Sequence, residues 1–337
     1  MAFYKSKDPV DCNTDFDTSN VKGKTAVITG GASGIGEVYV RTLLDAGAAH
    51  VVIADINESV GKKLVDELSA EKTTFVRCDV TSWAQQAATF KKAKEVSPTG
   101  RIDIVVANAG IVSQDDISEH NDLEADEPKE PNIKVTYVNT IGVIYTAKLA
   151  MWYFTKQHSQ AQGKQEDQVL VLQASIAGYV DLAGVAQYTS SKFAVRGLLR
   201  SLRQTAGMSG ARVNLIAPWY IDTAIIPDES RIAIKESGTG FAELADVGPT
   251  LLRIVADKEV QGKCSRQLSL CDRLLNDILP GRALAVFPRS WPEAPRGYVD
   301  LDADDLVKAG SFWSKAQEKG LAPAVWGVEQ MGKLPMS

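Results

Sequence analysis

The chain has 337 residues, of which 45% are hydrophobic and 23% charged, a composition typical of a globular protein. This composition excludes a disordered or collagen-like chain. The formal net charge of -5 gives no electrostatic reason to expect a nucleic acid or an anionic membrane as a partner, because both attract clustered lysine and arginine.

The sequence shows no clear targeting segment and no cysteine pattern typical of disulfides or metal sites. No segment approaches the roughly 18 consecutive apolar residues that a membrane-spanning helix needs, and residues 1–20 are polar and acidic, without the apolar core of a signal peptide. We therefore predict a cytoplasmic protein. The four cysteines form no C-x-x-C pair and share no ligand spacing with the three histidines, so neither a disulfide nor a metal site is expected.

Short β-branched runs alternate with longer stretches of helical periodicity along most of the chain. The predicted strands are residues 25–29, 50–55, 73–80, 102–107, 168–175, 212–217 and 282–287, and the clearest predicted helices are 34–46, 132–157 and 187–206. Strands separated by helices pair in parallel through right-handed crossovers, and strands this apolar are covered on both faces. The sequence therefore predicts an α/β protein with a doubly wound parallel sheet of about seven strands flanked by helices.

We expect a single domain over residues 21–287, with an N-terminal tail of residues 1–20. Residues 288–337 mix Pro, Gly and Trp, and we expect them to form a C-terminal extension that packs over the domain or a partner subunit. Residues 115–130 carry eight acids and one lysine, which indicates a solvated loop, with a functional lid as the alternative.

Residues 262–280 are an unusual insert between the helix ending near Val255 and the last predicted strand. Without them, Gln261 would join Gly281 directly and leave the short helix-to-strand link typical of α/β units. Two hypotheses account for the insert: a surface helix of the mature protein, or a retained intron of 19 codons. Sequencing the mature transcripts decides between them, and uninterrupted reads through the insert in all of them would exclude the intron.

A glycine-rich turn follows the first predicted strand and opens a helix. In this context unpaired backbone N–H groups and the positive end of the helix dipole bind a pyrophosphate, which glycine lets approach the backbone. The spacing is G-x-x-x-G-x-G and differs from the common G-x-G-x-x-G fingerprint, and a plain tight turn is the alternative. The predicted dinucleotide-binding residues of this turn are Gly30, Ser33, Gly34, Ile35 and Gly36.

Asp55 ends the second predicted strand, 19 residues beyond Gly36, where a carboxylate accepts hydrogen bonds from the adenosine ribose. A carboxylate there repels a 2′-phosphate, and neither Ser33 nor Ile56 supplies a cation, so NAD is expected and NADP is less favoured. The alternative for Asp55 is a turn residue that merely ends the strand. Further residues expected beside the cofactor follow the third and fourth strands: Asp79 and Val80 at the adenine, then Asn108, Ala109 and Gly110.

Tyr188 and Lys192 form a Y-x-x-x-K pair on a helical stretch, so the phenol and the ammonium share one helix face. Ser175 lies 13 residues before Tyr188, at the end of an apolar strand, where open α/β sheets bind ligands. Oxidation of a secondary alcohol needs a base near neutral pH to take the hydroxyl proton. An ammonium about 5 Å from the phenol, at an effective dielectric constant near 20, stabilises the phenolate by roughly 3 kcal/mol, or about two pKa units.

In this scheme Tyr188 is the catalytic acid/base, Lys192 lowers its pKa and holds the ribose, and Ser175 orients the substrate oxygen. Asn139 is the fourth predicted catalytic residue and lies within the predicted helix 132–157. Its amide either holds a water that connects Lys192 to solvent or is a core amide whose hydrogen bonds are satisfied.

Taken together, these motifs resemble the NAD-preferring short-chain dehydrogenase/reductases, over about residues 21–256 and the strand 282–287. More narrowly, the chain is similar to 15-hydroxyprostaglandin dehydrogenase-like alcohol dehydrogenases, including enzymes of fungal secondary metabolism. The resemblance implies a Rossmann-type sheet of seven parallel strands, a homodimer or homotetramer, and the four catalytic roles given above. It also implies that Pro218 and Thr223 bind the cofactor, with Thr223 near the nicotinamide carboxamide.

The chain departs from the family pattern at Trp219, where a glycine commonly follows the proline; its bulk is expected to narrow the space around the nicotinamide or the substrate. Residues 220–239 are expected to form a lid, with Ile225 and Ile226 either facing the substrate or packing within the lid. An apolar lid favours a hydrophobic substrate such as a polyketide, terpenoid, steroid or lipid.

We therefore predict an NAD(P)-dependent oxidoreductase that interconverts a secondary alcohol and a ketone. The alternative is a redox-silent binding or scaffold subunit with the same fold, or a cyclase-like catalyst that uses the same pocket. The complete set of Ser175, Tyr188 and Lys192 counts against this alternative.

Overall fold

The computed structural model describes residues 14–113, 124–161, 167–180, 182–203, 205–226, 228–236, 240–258, 283–290 and 298–300, together with the single positions 12, 117, 260 and 296. The insert 262–280, residues 1–11 and the chain beyond residue 300 lie outside the described residues. The two hypotheses for the insert and the proposed domain boundaries therefore stay predictions.

Eight strands within the described residues form one sheet. They are β1 (Thr25–Thr29), β2 (His50–Asp55), β3 (Thr73–Arg77), β4 (Ile104–Ala107), β5 (Gln168–Gln173), β6 (Ala211–Pro218), β7 (Ala283–Val286) and β8 (Tyr298–Asp300). Their order is β3-β2-β1-β4-β5-β6-β7-β8, and all neighbours pair in parallel except β7 and β8. The predicted doubly wound sheet with seven parallel strands is confirmed. The antiparallel edge strand β8, which the sequence pattern does not predict, lies in the expected C-terminal extension.

Helices connect the strands, and most of them pack against the sheet. They are α1 (Gly34–Asp45), α2 (Glu58–Leu68), α3 (Trp83–Val96), α4 (Lys134–Thr136), a π-helical segment (Tyr137–Gly142), α5 (Val143–Gln160), α6 (Ala186–Leu202), α7 (Asp228–Glu236) and α8 (Val247–Ala256). Side-chain oxygens of Asn57 and Ser82 cap the N-termini of α2 and α3. The predicted helix 132–157 is thus three consecutive segments, because the π-helical turn interrupts the α-helical repeat.

The central strands carry the core. Every residue of β1, β4, β5 and β6 is buried, as expected for parallel strands that are covered on both faces. The strand order reverses between β1 and β4, and their carboxyl ends open at one edge of the sheet. Ligands bind at this kind of switch point in open α/β sheets.

Two predicted strands end early. β3 stops at Arg77 and β5 at Gln173, and the residues that follow them form walls of the cleft at the sheet edge. Among the described residues, no helix combines the length and the apolar character that crossing a bilayer requires. The cytoplasmic location and the oligomeric state stay predictions.

Candidate active site

A cavity of about 1070 Å³ opens at the carboxyl edge of the sheet. The glycine turn and the ends of β2 and β3 line one part of it, and the segments after β4, β5 and β6 line the rest. All the predicted site residues line this cavity except Asn139. The fold therefore brings together residues that are up to 193 positions apart in the sequence, from Gly30 to Thr223.

Two glycines of the turn, Gly30 and Gly36, leave no room for a side chain. Gly30 has a φ of 63°, and a Cβ there would lie 2.8 Å from the Ala109 Cα. A Cβ on Gly36 would lie 2.0 Å from the Gly30 carbonyl oxygen. Asn108 holds the turn from β4, because its Nδ2 donates to the carbonyl oxygens of Thr29 and Gly30, both at 3.0 Å.

This turn fits the pyrophosphate of a dinucleotide. Helix α1 begins at Gly34 beside the cavity, and the Ser33 side chain makes no capping hydrogen bond to it. The N–H groups of the first helical turn and the positive end of the helix dipole are therefore available for an anion. The absence of a Cβ at Gly30 and Gly36 lets the backbone of the turn lie close to β4.

Asp55 lies where the sequence places it, at the cavity end of β2. Its Oδ2 accepts a hydrogen bond from the Ala32 backbone N–H at 3.1 Å, and its Oδ1 accepts one from Asn57 at 2.9 Å. The carboxylate therefore braces the glycine turn in addition to facing the predicted adenosine site. Nearby, Asp79 accepts hydrogen bonds from the backbone and hydroxyl of Thr81.

Ser175, Tyr188 and Lys192 meet at the other part of the cavity. Ser175 begins a short helical turn (Ile176–Gly178) after β5 and hydrogen-bonds to Tyr188. The turn packs directly on α6, because a Cβ on Gly178 would lie 2.8 Å from the Lys192 carbonyl oxygen. The Lys192 Nζ lies 5.4 Å from the centre of the Tyr188 ring and donates to the Gln173 carbonyl oxygen at 3.2 Å.

Burial shifts the pKa of both groups in the direction that favours the uncharged side chain. It raises the pKa of the Tyr188 phenol, and the hydrogen bond from Ser175 opposes this rise. It lowers the pKa of Lys192 to about 8. The net direction for Tyr188 is opposite to the one expected from a charged Lys192 alone, because desolvation of the phenolate dominates within the chain.

The Lys192 shift predicts a pH-dependent stability. The folded pKa of about 8 lies below the ordinary 10.5, so the unfolded chain binds more protons between these pH values and stability rises with pH across this window. Below pH 8, keeping the charged ammonium buried lowers the free energy of unfolding by about 3 kcal/mol. We expect Lys192→Met to have a larger free energy of unfolding than the wild type at neutral pH, with the difference shrinking as pH rises above 8. Urea unfolding at stepped pH measures this.

The matched control is Lys62→Met, because the Lys62 side chain is 66% exposed and lies on α2, outside the cavity. Because this exposed ammonium stays hydrated in the folded protein, its removal should not raise the free energy of unfolding at neutral pH. Parallel stability curves for the wild type and Lys192→Met would contradict the shift.

Asn139 is fully buried in the π-helical segment and does not line the cavity. Its Oδ1 accepts from the Ile111 N–H at 2.8 Å, and its Nδ2 donates to the Ile111 carbonyl oxygen at 2.9 Å and to Ser191 Oγ at 3.2 Å. These contacts match the alternative of a core amide with satisfied hydrogen bonds. Asn139 braces the loop after β4 against α6, and its catalytic role stays a prediction.

Trp219 anchors the segment after β6 that lines the cavity. It is 4% exposed, and its Nε1 donates to the Gly240 carbonyl oxygen at 3.3 Å. Its ring lies 5.5 Å from the Phe287 ring and also lines the cavity. The sequence indicates the bulk of Trp219 but not its hydrogen bond to Gly240, which joins the two ends of the segment between residues 219 and 240.

Helix α7 lies within that loop and is fastened by Arg231. Arg231 pairs with Asp222 at 2.5 Å and with Asp228, and it donates to the Thr223 carbonyl oxygen at 3.1 Å. Thr223 in turn lies over the glycine turn, 3.8 Å from where a Cβ on Gly34 would stand. The sequence alone does not single out Arg231: Asp228 lies three positions before it in α7, but Asp222 and Thr223 precede the helix in an irregular segment.

The model of the short chain dehydrogenase family matches residues 24–231, and the chain belongs to this family. A 5′-hydroxyaverantin dehydrogenase from Dothistroma septosporum is 35% identical over 301 residues, covering 87% of this chain and 91% of that protein. The NADP-dependent dehydrogenase clz5 from Cochliobolus lunatus is 33% identical over 271 residues, covering 77% and 94%. The 15-hydroxyprostaglandin dehydrogenase (NAD(+)) of Mus musculus is 32% identical over 213 residues, covering 61% and 71%.

Among solved structures, a short-chain type dehydrogenase/reductase from Mycobacterium marinum is similar, with a TM-score of 0.60 and 25% identity over 71% of this chain and 91% of that one. The predicted family and Rossmann-type fold are confirmed. The protein is an NAD(P)-dependent oxidoreductase of the short-chain alcohol dehydrogenase type, and its fungal relatives fit secondary metabolism.

Proposed function

We propose that the protein uses NAD to interconvert a secondary alcohol and a ketone on a hydrophobic small molecule, with Tyr188 as the acid/base. The observation that supports this most strongly is the shared cavity, in which Tyr188 and Lys192 face the same space as Gly30 and Asp55. We also propose a homodimer or homotetramer in the cytoplasm, as the family resemblance and the sequence suggest.

The cavity offers a suitable group for the pyrophosphate and for each ribose of the cofactor. The glycine turn and the start of α1 would hold the pyrophosphate, Asp55 the adenosine ribose, and Lys192 the nicotinamide ribose. When bound, the nicotinamide supplies the hydride acceptor for oxidation or the hydride donor for reduction.

The chain's own groups handle the proton. Ser175 orients the substrate oxygen by a hydrogen bond, and Tyr188 takes the hydroxyl proton during oxidation or returns it during reduction. Lys192 in its charged form stabilises the phenolate of Tyr188 across a short distance. Helix α7 and Trp219 cover the cavity and limit water at the reacting atoms.

The apolar lining supports a hydrophobic substrate. Ile225, Ile226 and Ile234 of the covering segment line the cavity, and Leu182 and Val185 line it from the segment before α6. A polyketide, terpenoid, steroid or lipid-like alcohol or ketone suits such walls.

Turnover assays test the proposal. The purified protein is incubated with NAD or NADH and a panel of secondary alcohols and ketones while the absorbance of the reduced nicotinamide is followed. We expect turnover with hydrophobic members of the panel. No turnover with any of them, in the wild type and in Tyr188→Phe alike, would favour the redox-silent alternative.

The preference for NAD rests on Asp55, whereas a relative is named NADP-dependent. A carboxylate at this position repels a 2′-phosphate, so Asp55→Ala is expected to improve the ratio of kcat/KM for NADP over that for NAD by at least about tenfold, or roughly 1.4 kcal/mol. Because Asp55 also holds the Ala32 N–H, absolute rates should fall with both cofactors. An unchanged ratio would remove the basis for proposing NAD.

A further inference from the structure

One polar side chain interrupts the apolar surface that α7 presents to the cavity. Ile226, Ser230 and Ile234 are spaced four residues apart, and all three line the cavity. Residues at this spacing lie on one face of a helix. Ser230 and Ile234 therefore share one face of α7, and Ile226 precedes the helix on the same wall of the cavity.

The Ser230 hydroxyl has no hydrogen-bond partner among the described residues. Ser230 is 7% exposed, and its Oγ is buried. Buried polar atoms in folded proteins are nearly always paired, because leaving one unpaired keeps its desolvation penalty. An unpaired hydroxyl on the wall of a ligand cavity points to a partner supplied by the ligand.

Several hydroxyls within helices of the described residues are paired with the preceding turn, although Thr189 of α6, which does not line the cavity, is also unpaired. Thr155 donates to the Met151 carbonyl oxygen at 2.7 Å, and Thr250 donates to the Asp246 carbonyl oxygen at 2.7 Å. This back-bonding to the preceding turn is the usual solution for a hydroxyl within a helix. Ser230 makes no such bond, so rotation about its χ1 breaks no hydrogen bond and can turn the hydroxyl from its buried position toward the cavity.

The orientation of Ser230 is fixed by its neighbour. Arg231 ties α7 to Asp222 and to the Thr223 carbonyl oxygen, on the segment that leads out of β6. Rotation of α7 about its axis would break these contacts. The face of α7 that carries Ser230 therefore stays against the cavity.

We propose that Ser230 hydrogen-bonds a second oxygen of the substrate, and this inference rests on the proposed function. The preferred substrates are then hydrophobic alcohols or ketones that carry a further hydroxyl or carbonyl away from the reacting carbon. A neutral oxygen fits better than a carboxylate, because the two isoleucines give no charge compensation. Of the described cations that line the cavity, Lys192 belongs to the catalytic set and Lys134 is exposed.

The test compares 1-tetralone with its 5-, 6- and 7-hydroxy derivatives, which move one hydroxyl around a rigid apolar ketone. Reduction by NADH is measured for the wild type and Ser230→Ala. For the best hydroxylated ketone we expect Ser230→Ala to lower kcat/KM by about tenfold or more, mainly through KM. For 1-tetralone, kcat/KM should stay the same or rise.

Two controls separate recognition from a structural role. Ser159→Ala removes an exposed helical hydroxyl of α5 that bonds to the Lys156 carbonyl oxygen, and it should leave every ratio unchanged. The Tm of Ser230→Ala should equal or exceed that of the wild type, because no internal hydrogen bond is lost. Equal hydroxy-to-parent ratios in wild type and Ser230→Ala, or a lowered Tm, would overturn the proposal.

A failure of the proposed function gives a different result. If the wild type reduces none of these ketones, their binding in the presence of NADH is measured by tryptophan fluorescence. Tighter binding of a hydroxytetralone than of 1-tetralone, lost in Ser230→Ala, would still support recognition of a second oxygen. Equal binding of all four ketones by both proteins would contradict it.

Discussion

Replacing Tyr188 with phenylalanine is expected to lower kcat by about 10³-fold, within the range that general acid–base catalysis contributes. The ring is retained, so its packing on α6 and the 5.4 Å approach of the Lys192 Nζ should persist. Only the proton-transferring oxygen is lost, together with its hydrogen bond to Ser175. Steady-state kinetics measures kcat, and NADH fluorescence measures a Kd that should change by no more than a few-fold.

Tyr153→Phe is the matched control. This residue lies on α5, where its ring stacks 5.6 Å from Phe90, and it does not line the active-site cavity. Its kcat should equal that of the wild type. If Tyr188→Phe kept kcat within about twofold while NADH binding was intact, the proton would have to pass through another group, and the role proposed for Tyr188 would be wrong.

The sequence predicts most of the sheet because its strands are short apolar runs between polar turns. β1 and β2 match their predicted bounds at both ends, since Gly30 and Asn57 follow closely on the last apolar residue. β3 and β5 are shorter than predicted, because apolar or small residues continue past the last paired position into the cavity wall. β8 has only three residues and depends on pairing with β7, which local periodicity does not reveal.

The candidate site is predictable where its residues share a local motif. The glycine turn and the pair Tyr188 and Lys192 carry their spacing in the sequence, and the fold brings them to one cavity. The partners of Asn139 cannot be predicted in this way, because the amide bonds to Ile111, 28 positions away. The same holds for Ser230: the sequence predicts only a lid over residues 220–239, and the fold shows that helix α7 within it lines the cavity.

Desolvation is the other quantity that the sequence does not provide. Spacing alone gives the attraction between Tyr188 and Lys192, but both groups are also removed from water, and this opposes ionisation of each. The protein therefore holds side by side a tyrosine and a lysine whose pKa values are both shifted to favour the uncharged form. The positive charge of an oxidised nicotinamide would favour the phenolate in addition to Lys192, so proton removal is best supported when the oxidised cofactor is bound.

Gly36→Ala is expected to weaken NADH binding by about a hundredfold, or roughly 3 kcal/mol, and to lower the Tm. The added Cβ would stand 2.0 Å from the Gly30 carbonyl oxygen, so the first turn of α1 and the glycine turn must move apart. Neither can move freely, because the Gly30 carbonyl oxygen is also held by Asn108 at 3.0 Å. Fluorescence titration with NADH and thermal unfolding measure the two effects.

Gly197→Ala is the matched control, since Gly197 is also a helical glycine and a Cβ there meets no atom within 4 Å. In α6 this change should stabilise the protein by about 0.5–1 kcal/mol, because alanine loses less conformational entropy in a helix than glycine. NADH binding should stay the same. The opposite signs of the two Tm shifts separate steric contact from helix propensity. A Gly36→Ala protein with the Kd and Tm of the wild type would show that the glycine turn tolerates a side chain. This result would contradict the cofactor site proposed at the turn.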